Sequence, residues 1–141
     1  MRDSGNPVLL DPSVLDVLGA EIECPSATAD FLRTYLELLP NRLKRIASAV
    51  EDQDLERALE AVLSLKVTST MVGALRMEQQ CRDLELELRG GLWERTSRTA
   101  SGLVSGSGPL TVAAIALLEA QHFRSPAGRA LGRHRSAMTM A

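Results

Sequence analysis

Apolar and polar positions alternate along most of this chain with the period of an α-helix. In Leu55 to Ala74, residues Leu55, Ala58, Leu59, Val62, Leu65, Ser69 and Val72 recur at steps of three and four, which lays them on one face of a single helix. That face is predicted to meet the core. Glu56, Glu60, Leu63, Val67 and Thr70 advance by the same steps on roughly the opposite side, with Lys66 at their flank. Two branched apolar residues, Leu63 and Val67, therefore stand where solvent is expected.

The same period predicts the neighbouring elements. Asp11-Pro12 reads as a cap followed by proline at the first helical position, opening a short helix over about 12–18 that turns Leu15 and Leu18 inward and stops at Gly19. Ser26 and Thr28 are candidate caps for a long helix whose stripe is Leu32, Tyr35, Leu36, Leu39, Leu43, Ile46, Ala47 and Val50. Pro40 bends that helix without ending it, because the stripe continues in phase beyond it. Arg42, Lys44 and Arg45 line its outer side. The polar turn Glu51 to Asp54 reverses the chain, Asp54 caps the central helix, and Gly73 ends or bends it. A further stripe, Met77, Cys81, Leu84 and Leu88, defines the next helix, with Glu78, Arg82, Asp83, Glu85 and Glu87 on its wet side and Gly90-Gly91 at its close. The Ser/Gly-rich residues 96–109 read as a mobile loop, and Leu110 to Phe123 as a last helix that is apolar nearly all round. Such a helix needs cover on more than one face, within the bundle or at a homodimer seam.

Short connections make successive helices antiparallel neighbours. The expected fold is all-α, an up-and-down four-helix bundle with an additional short N-terminal helix. The 141 residues fit one domain, 1–141, with a flexible start over about 1–9 and a basic tail over about 124–141.

Two polar signatures sharpen this picture. Leu63-Ser64-Leu65-Lys66-Val67-Thr68-Ser69, followed by Gly73, resembles the central helix of histidine-containing phosphotransfer (HPt) domains, whose pattern is His-Ser-Leu-Lys-Gly-Ser-Ser with a glycine downstream. Ser64, Leu65, Lys66, Ser69 and Gly73 match, and Thr68 stands in for a serine. The Asp11-Pro12 helix start resembles the family as well. The resemblance implies a bundle that binds response-regulator receiver domains or a histidine kinase in a bacterial two-component phosphorelay. It also marks two departures: Leu63 occupies the phospho-accepting histidine position, and Val67 occupies that of the small glycine one turn later. Leucine offers no lone pair, so phosphotransfer by the family route is closed. The expectation is a pseudo-HPt domain that docks partners through Glu60, Leu63, Lys66, Val67 and Thr70 without carrying phosphate, with Lys66 alternatively a solvated lysine near Glu60. The competing expectation is a self-associating helical scaffold outside phosphorelay signalling.

Composition narrows the remaining options. A net charge of −2 and four aromatic residues give no platform for nucleic acid. No uninterrupted apolar run approaches the ~20 residues of a membrane span and the start lacks an apolar signal core, so a cytoplasmic protein is expected. Cys24 and Cys81 have no metal-ligand spacing and read as free thiols, Cys81 buried. No catalytic set, cofactor cradle or metal site is expected, and no enzyme. His122 reads as a packed or boundary residue of the last helix rather than a phosphate acceptor.

Overall fold

The computed structural model describes residues 7–22 and 25–124. They form five helices: α1 (Pro12–Ile22), α2 (Pro25–Glu51), α3 (Leu55–Val72), α4 (Leu75–Arg89) and α5 (Trp93–Arg124). Among the described residues there is no strand. α2, α3, α4 and α5 close an antiparallel ring in which each touches the next and α5 returns to α2. α3 and α5 therefore occupy opposite corners, while α1 lies across α2 and α3. The bundle and its extra N-terminal helix are those the sequence predicts.

Local chemistry explains where each helix starts and stops. Asp11 Oδ1 accepts from Ser13 N at 3.0 Å and from Ser13 Oγ at 2.7 Å, closing the first turn of α1 around Pro12. α1 runs through Gly19 to Ile22 rather than stopping at the glycine. Gly19 is buried within the helix, although glycine's helix propensity is about 1 kcal/mol poorer than alanine's. Pro40 lies within an unbroken α2, as predicted. Asp54 caps α3 through Arg57 N at 3.2 Å, after a turn in which Gln53 takes φ 53°.

The turn between α3 and α4 also fastens the chain start. Gly73 has φ 82°, its carbonyl accepts from Asp11 N at 2.8 Å, and Ala74 N donates back to Ser69 O at 2.8 Å. Nearby, Arg76 N donates to Val8 O at 3.0 Å and Arg76 Nε to Pro7 O at 3.2 Å. Leu9 and Leu10 pack on the core. Residues 7–9 are thus strapped across the turn, correcting the expected flexible start over that part. Met1 to Asn6, Cys24 and the basic tail beyond Arg124 lie outside the described residues.

The core is aliphatic, built from Leu32, Leu39, Ile46, Val62, Leu65, Met77, Leu84, Leu88 and Leu103. Two positions of the predicted stripes lie outside it: Leu55, in the first turn of α3, and Ala47 are exposed. Ala49 is buried beside Val50 instead.

The largest correction concerns residues 96–109. They are helical throughout, the first half of a 32-residue α5. Thr96, Ala100, Leu103, Leu110 and Ala114 point into the bundle at helical spacing. The hydroxyls that signalled a loop are spent within the helix: Thr96 Oγ1 donates to Trp93 O at 2.6 Å, Ser105 Oγ to Ser101 O at 3.1 Å and Ser107 Oγ to Val104 O at 2.7 Å. With loop and last helix joined, Trp93–Ala120 becomes one helix that, by length and composition alone, could cross a membrane. It is not an uninterrupted apolar run, since Glu94, Arg95, Arg98 and several Ser, Thr and Gly residues punctuate it. Because Leu103, Leu110 and Ala114 sit fully buried in the bundle, the helix is already committed on one side.

Candidate functional site

The outer face of α3 holds the residues that the sequence singles out. Val67 lies near its centre and is 54% exposed, Glu60 and Thr70 are exposed, and Leu63 is half-buried. Two apolar neighbours extend the patch, Met71 and Leu38, both more than two-fifths exposed. Met71 continues the four-residue ridge from Leu63 and Val67 and was legible as such. Leu38 comes from α2, where it falls outside the core stripe. Its place is set by two bonds that fix the antiparallel register of α2 and α3: Tyr35 Oη and Ser69 Oγ share one at 2.7 Å, and Arg42 Nη1 donates to Ser64 Oγ. Leu38 lies between them, level with Val67.

The polar residues of the motif are occupied in holding the fold. Ser64 receives Arg42, Thr68 Oγ1 donates to Ser64 O at 3.1 Å, Ser69 meets Tyr35 and Gly73 meets Asp11. Lys66 turns to α4, where its Nζ donates to Glu85 Oε1 at 2.8 Å, rather than lying near Glu60. Arg89 Nη2 reaches the other Glu85 oxygen at 2.9 Å. Glu85 is therefore drawn from the wet side of α4 into a cluster of two cations and one carboxylate. The hydrogen bond from Lys66, then that from Arg89, holds its carboxyl below the usual glutamate range.

This cluster, Arg42, Leu38 and Met71 are what the sequence reading missed. A cross-helix ion pair leaves no trace in the period of one helix. No group of His, Cys, Asp and Glu among the described residues is placed to hold a metal ion. His122 belongs to the last turn of α5, and its side chain lies outside the described residues.

Two buried groups behave as structural elements. Burial pushes the Tyr35 hydroxyl up to about 12 against the opposing pull of its Ser69 bond, and burial pushes the free thiol of Cys81 up to about 12. Raised folded values mean that this stability is whole below the unfolded-state pKa values and fades as pH climbs through the folded ones. Denaturant midpoints should accordingly fall between about pH 9 and 12. Tyr35→Phe should abolish the tyrosine part of that fall and cost about 1–2 kcal/mol at neutral pH, since the Ser69 hydroxyl would be left buried without its partner.

The ring of antiparallel helices, with α1 laid across it and the turn at Gly73 strapped by the chain start, defines an up-and-down four-helix bundle. A family model, Hpt domain, matches residues 30–121. The chain belongs to the Hpt domain family. Domains of this family carry phosphoryl groups between signalling proteins rather than acting as enzymes, and they work with response regulators and kinases. Comparison with curated proteins and with solved structures gives no significant match to the chain.

Proposed function

We propose that this chain is a pseudo-HPt protein of a bacterial two-component phosphorelay, which docks a receiver domain or a kinase on the outer face of α3 without carrying phosphate there. The observation that supports this reading is the division of labour within the motif. Ser64, Lys66, Ser69 and Gly73 are all engaged in cross-helix or turn contacts that keep α3 in place. The two positions that depart from the family pattern are Leu63, half-buried, and Val67, exposed. An imidazole and a gap for the partner have become an aliphatic ridge continued by Met71 and flanked by Leu38.

Such a ridge favours association over chemistry. Burying the exposed parts of a few aliphatic side chains, at about 25 cal/mol per Å², provides a docking centre, and Glu60 and Thr70 with the Lys66, Glu85 and Arg89 cluster form a polar rim. The protein would then compete with a true phosphotransfer domain or hold a regulator in place, in the cytoplasm where its partners work.

The test is a binding screen against the receiver domains and kinases of the source genome, with and without a phosphoryl donor. At least one partner should bind with no transfer of label. Leu63→Asp combined with Val67→Glu should weaken that partner by about 100-fold or more, as truncating or charging an interface centre does. Unchanged binding by the double variant would remove this face as the docking site.

A second reading has the bundle outside phosphorelay signalling, as a helical module that self-associates through the apolar stretch Leu110 to Leu118. It is favoured by Val112 and Ile115, which stand 69% and 46% exposed on α5.

A further inference from the structure

The corner opposite α3 has an unusual surface. From Thr99 to Leu118 the sequence carries no charged residue, yet one side of this stretch is open to solvent through Val104, Val112 and Ile115. Beside it, α5 and α2 are separated by a shallow groove in two parts. One holds about 310 Å³ and is lined by Leu39, Leu43, Lys44 and Val104 among others. The other holds about 500 Å³ and is lined by Ala47, Ala100 and Ser101, with Glu51 at its rim. Val104, half exposed, lines both parts.

We infer that the α2–α5 face is the self-association surface of this protein and that its occupant is a second copy of the same chain in two-fold apposition. The inference rests on the premise of the second reading, that the chain self-associates. It departs from that reading by placing the contact along the whole α2–α5 groove rather than on the apolar end of α5 alone.

Two features select a second copy over other occupants. Lys44 and Glu51 lie seven residues apart on α2, about 10 Å along the helix. Apposing two antiparallel α2 helices brings Lys44 of one copy to Glu51 of the other, twice over, while the uncharged stretch of α5 from Thr99 to Leu118 opposes no like charges. The extent is also sufficient. Ser97 to Ile115 spans about 28 Å, and two helix widths give about 560 Å² per copy, or about 1,100 Å² in all. That just clears the ~1,000 Å² expected of a specific interface, so the dimer should be reversible and micromolar.

A lipid surface fits less well. A span would require α5 to withdraw Leu103, Leu110 and Ala114 from the core, where they are fully buried. The geometry has a consequence for docking as well. Because α3 and α5 occupy opposite corners, the dimer leaves both α3 faces outward, and one assembly can hold two partners.

Sedimentation of the full chain from about 1 to 200 µM tests the inference, with circular dichroism confirming the fold of each variant. The expected result is a monomer–dimer equilibrium that Lys44→Glu weakens at least tenfold and that Lys44→Glu combined with Glu51→Lys restores to within about threefold. Val104→Glu should likewise abolish the dimer, and Val67→Glu on the opposite corner should leave it intact. A dimer indifferent to Lys44→Glu and Val104→Glu would overturn this surface while leaving self-association standing. A monomer at every concentration would overturn both, as would a monomer that instead sediments with anionic phospholipid vesicles.

Discussion

Gly73→Ala should lower the thermal midpoint by about 10 °C, the largest loss of stability expected from any single methyl group in this protein. Two penalties coincide at that residue. Its φ of 82° lies in the left-handed region, where a β-carbon costs about 1–2 kcal/mol. The added carbon would also stand 2.5 Å from the carbonyl oxygen of Asp11 and 3.0 Å from Cβ of Val14. Neither neighbour is a free side-chain end. The Asp11 carbonyl is backbone, and the Asp11 amide is bonded to the Gly73 carbonyl at 2.8 Å, so relieving the clash means lifting the start of α1 from the turn. A total of about 2–4 kcal/mol follows, and at roughly 3–4 °C per kcal/mol for a chain of this size the midpoint moves as stated. Calorimetry provides the measurement. By contrast Gly91, although its φ is 71°, has open space around the position of a β-carbon, so Gly91→Ala should cost only the conformational part. A loss at Gly73 no larger than that at Gly91 would show that the strap over the turn contributes nothing.

Much of this architecture was legible because α2, α3 and α4 bury leucine, valine and methionine at steps of three and four. Each of those side chains announces its face. α5 follows the same rule, with Thr96, Ala100, Leu103, Leu110 and Ala114 inside, but three of the five are small or hydroxylated. Periodicity read from bulky residues passes over them. The glycines reinforce the wrong impression, since Gly102 and Gly106 look like breakers. In the structure they lie against Gln80 of α4, where even a β-carbon would keep 3.8 and 3.6 Å from the amide, so they permit close packing without demanding it.

The site divided along similar lines. Val67, Glu60 and Thr70 stand exposed as the helical period predicts. Lys66 was placed on the right helix but with the wrong partner, because its carboxylate comes from Glu85, 19 positions along the chain. An interaction across helices depends on which helices become neighbours, and that is a property of the packed bundle. The same holds for Leu38, an unremarkable off-stripe leucine until the Tyr35 and Arg42 bonds set it beside α3.

Restoring the two altered positions should restore chemistry, and in a fixed order. Leu63→His alone places an imidazole on the outer face of α3, three residues before Lys66, yet it should accept little phosphate. Val67, 54% exposed one turn further on, still fills the approach a receiver needs to bring its acyl phosphate within reach of the ring nitrogen. Leu63→His combined with Val67→Gly removes that branch and should become labelled by a receiver phosphodonor, giving phosphate labile to acid and stable to base, at least tenfold more than the single variant. The glycine costs about 1 kcal/mol of helix stability, which leaves the bundle folded. Lys66 sets the final level. Its ammonium is paired with Glu85, and a phosphoryl group on the new histidine would have to draw it away from a carboxylate that Arg89 also holds. Adding Glu85→Gln frees Lys66 for the phosphate and should raise labelling again. Equal labelling of the single and double variants would show that Val67 does not obstruct the partner. No labelling of any variant by a receiver that still binds would mean that docking on this face has shifted from the geometry of phosphoryl transfer.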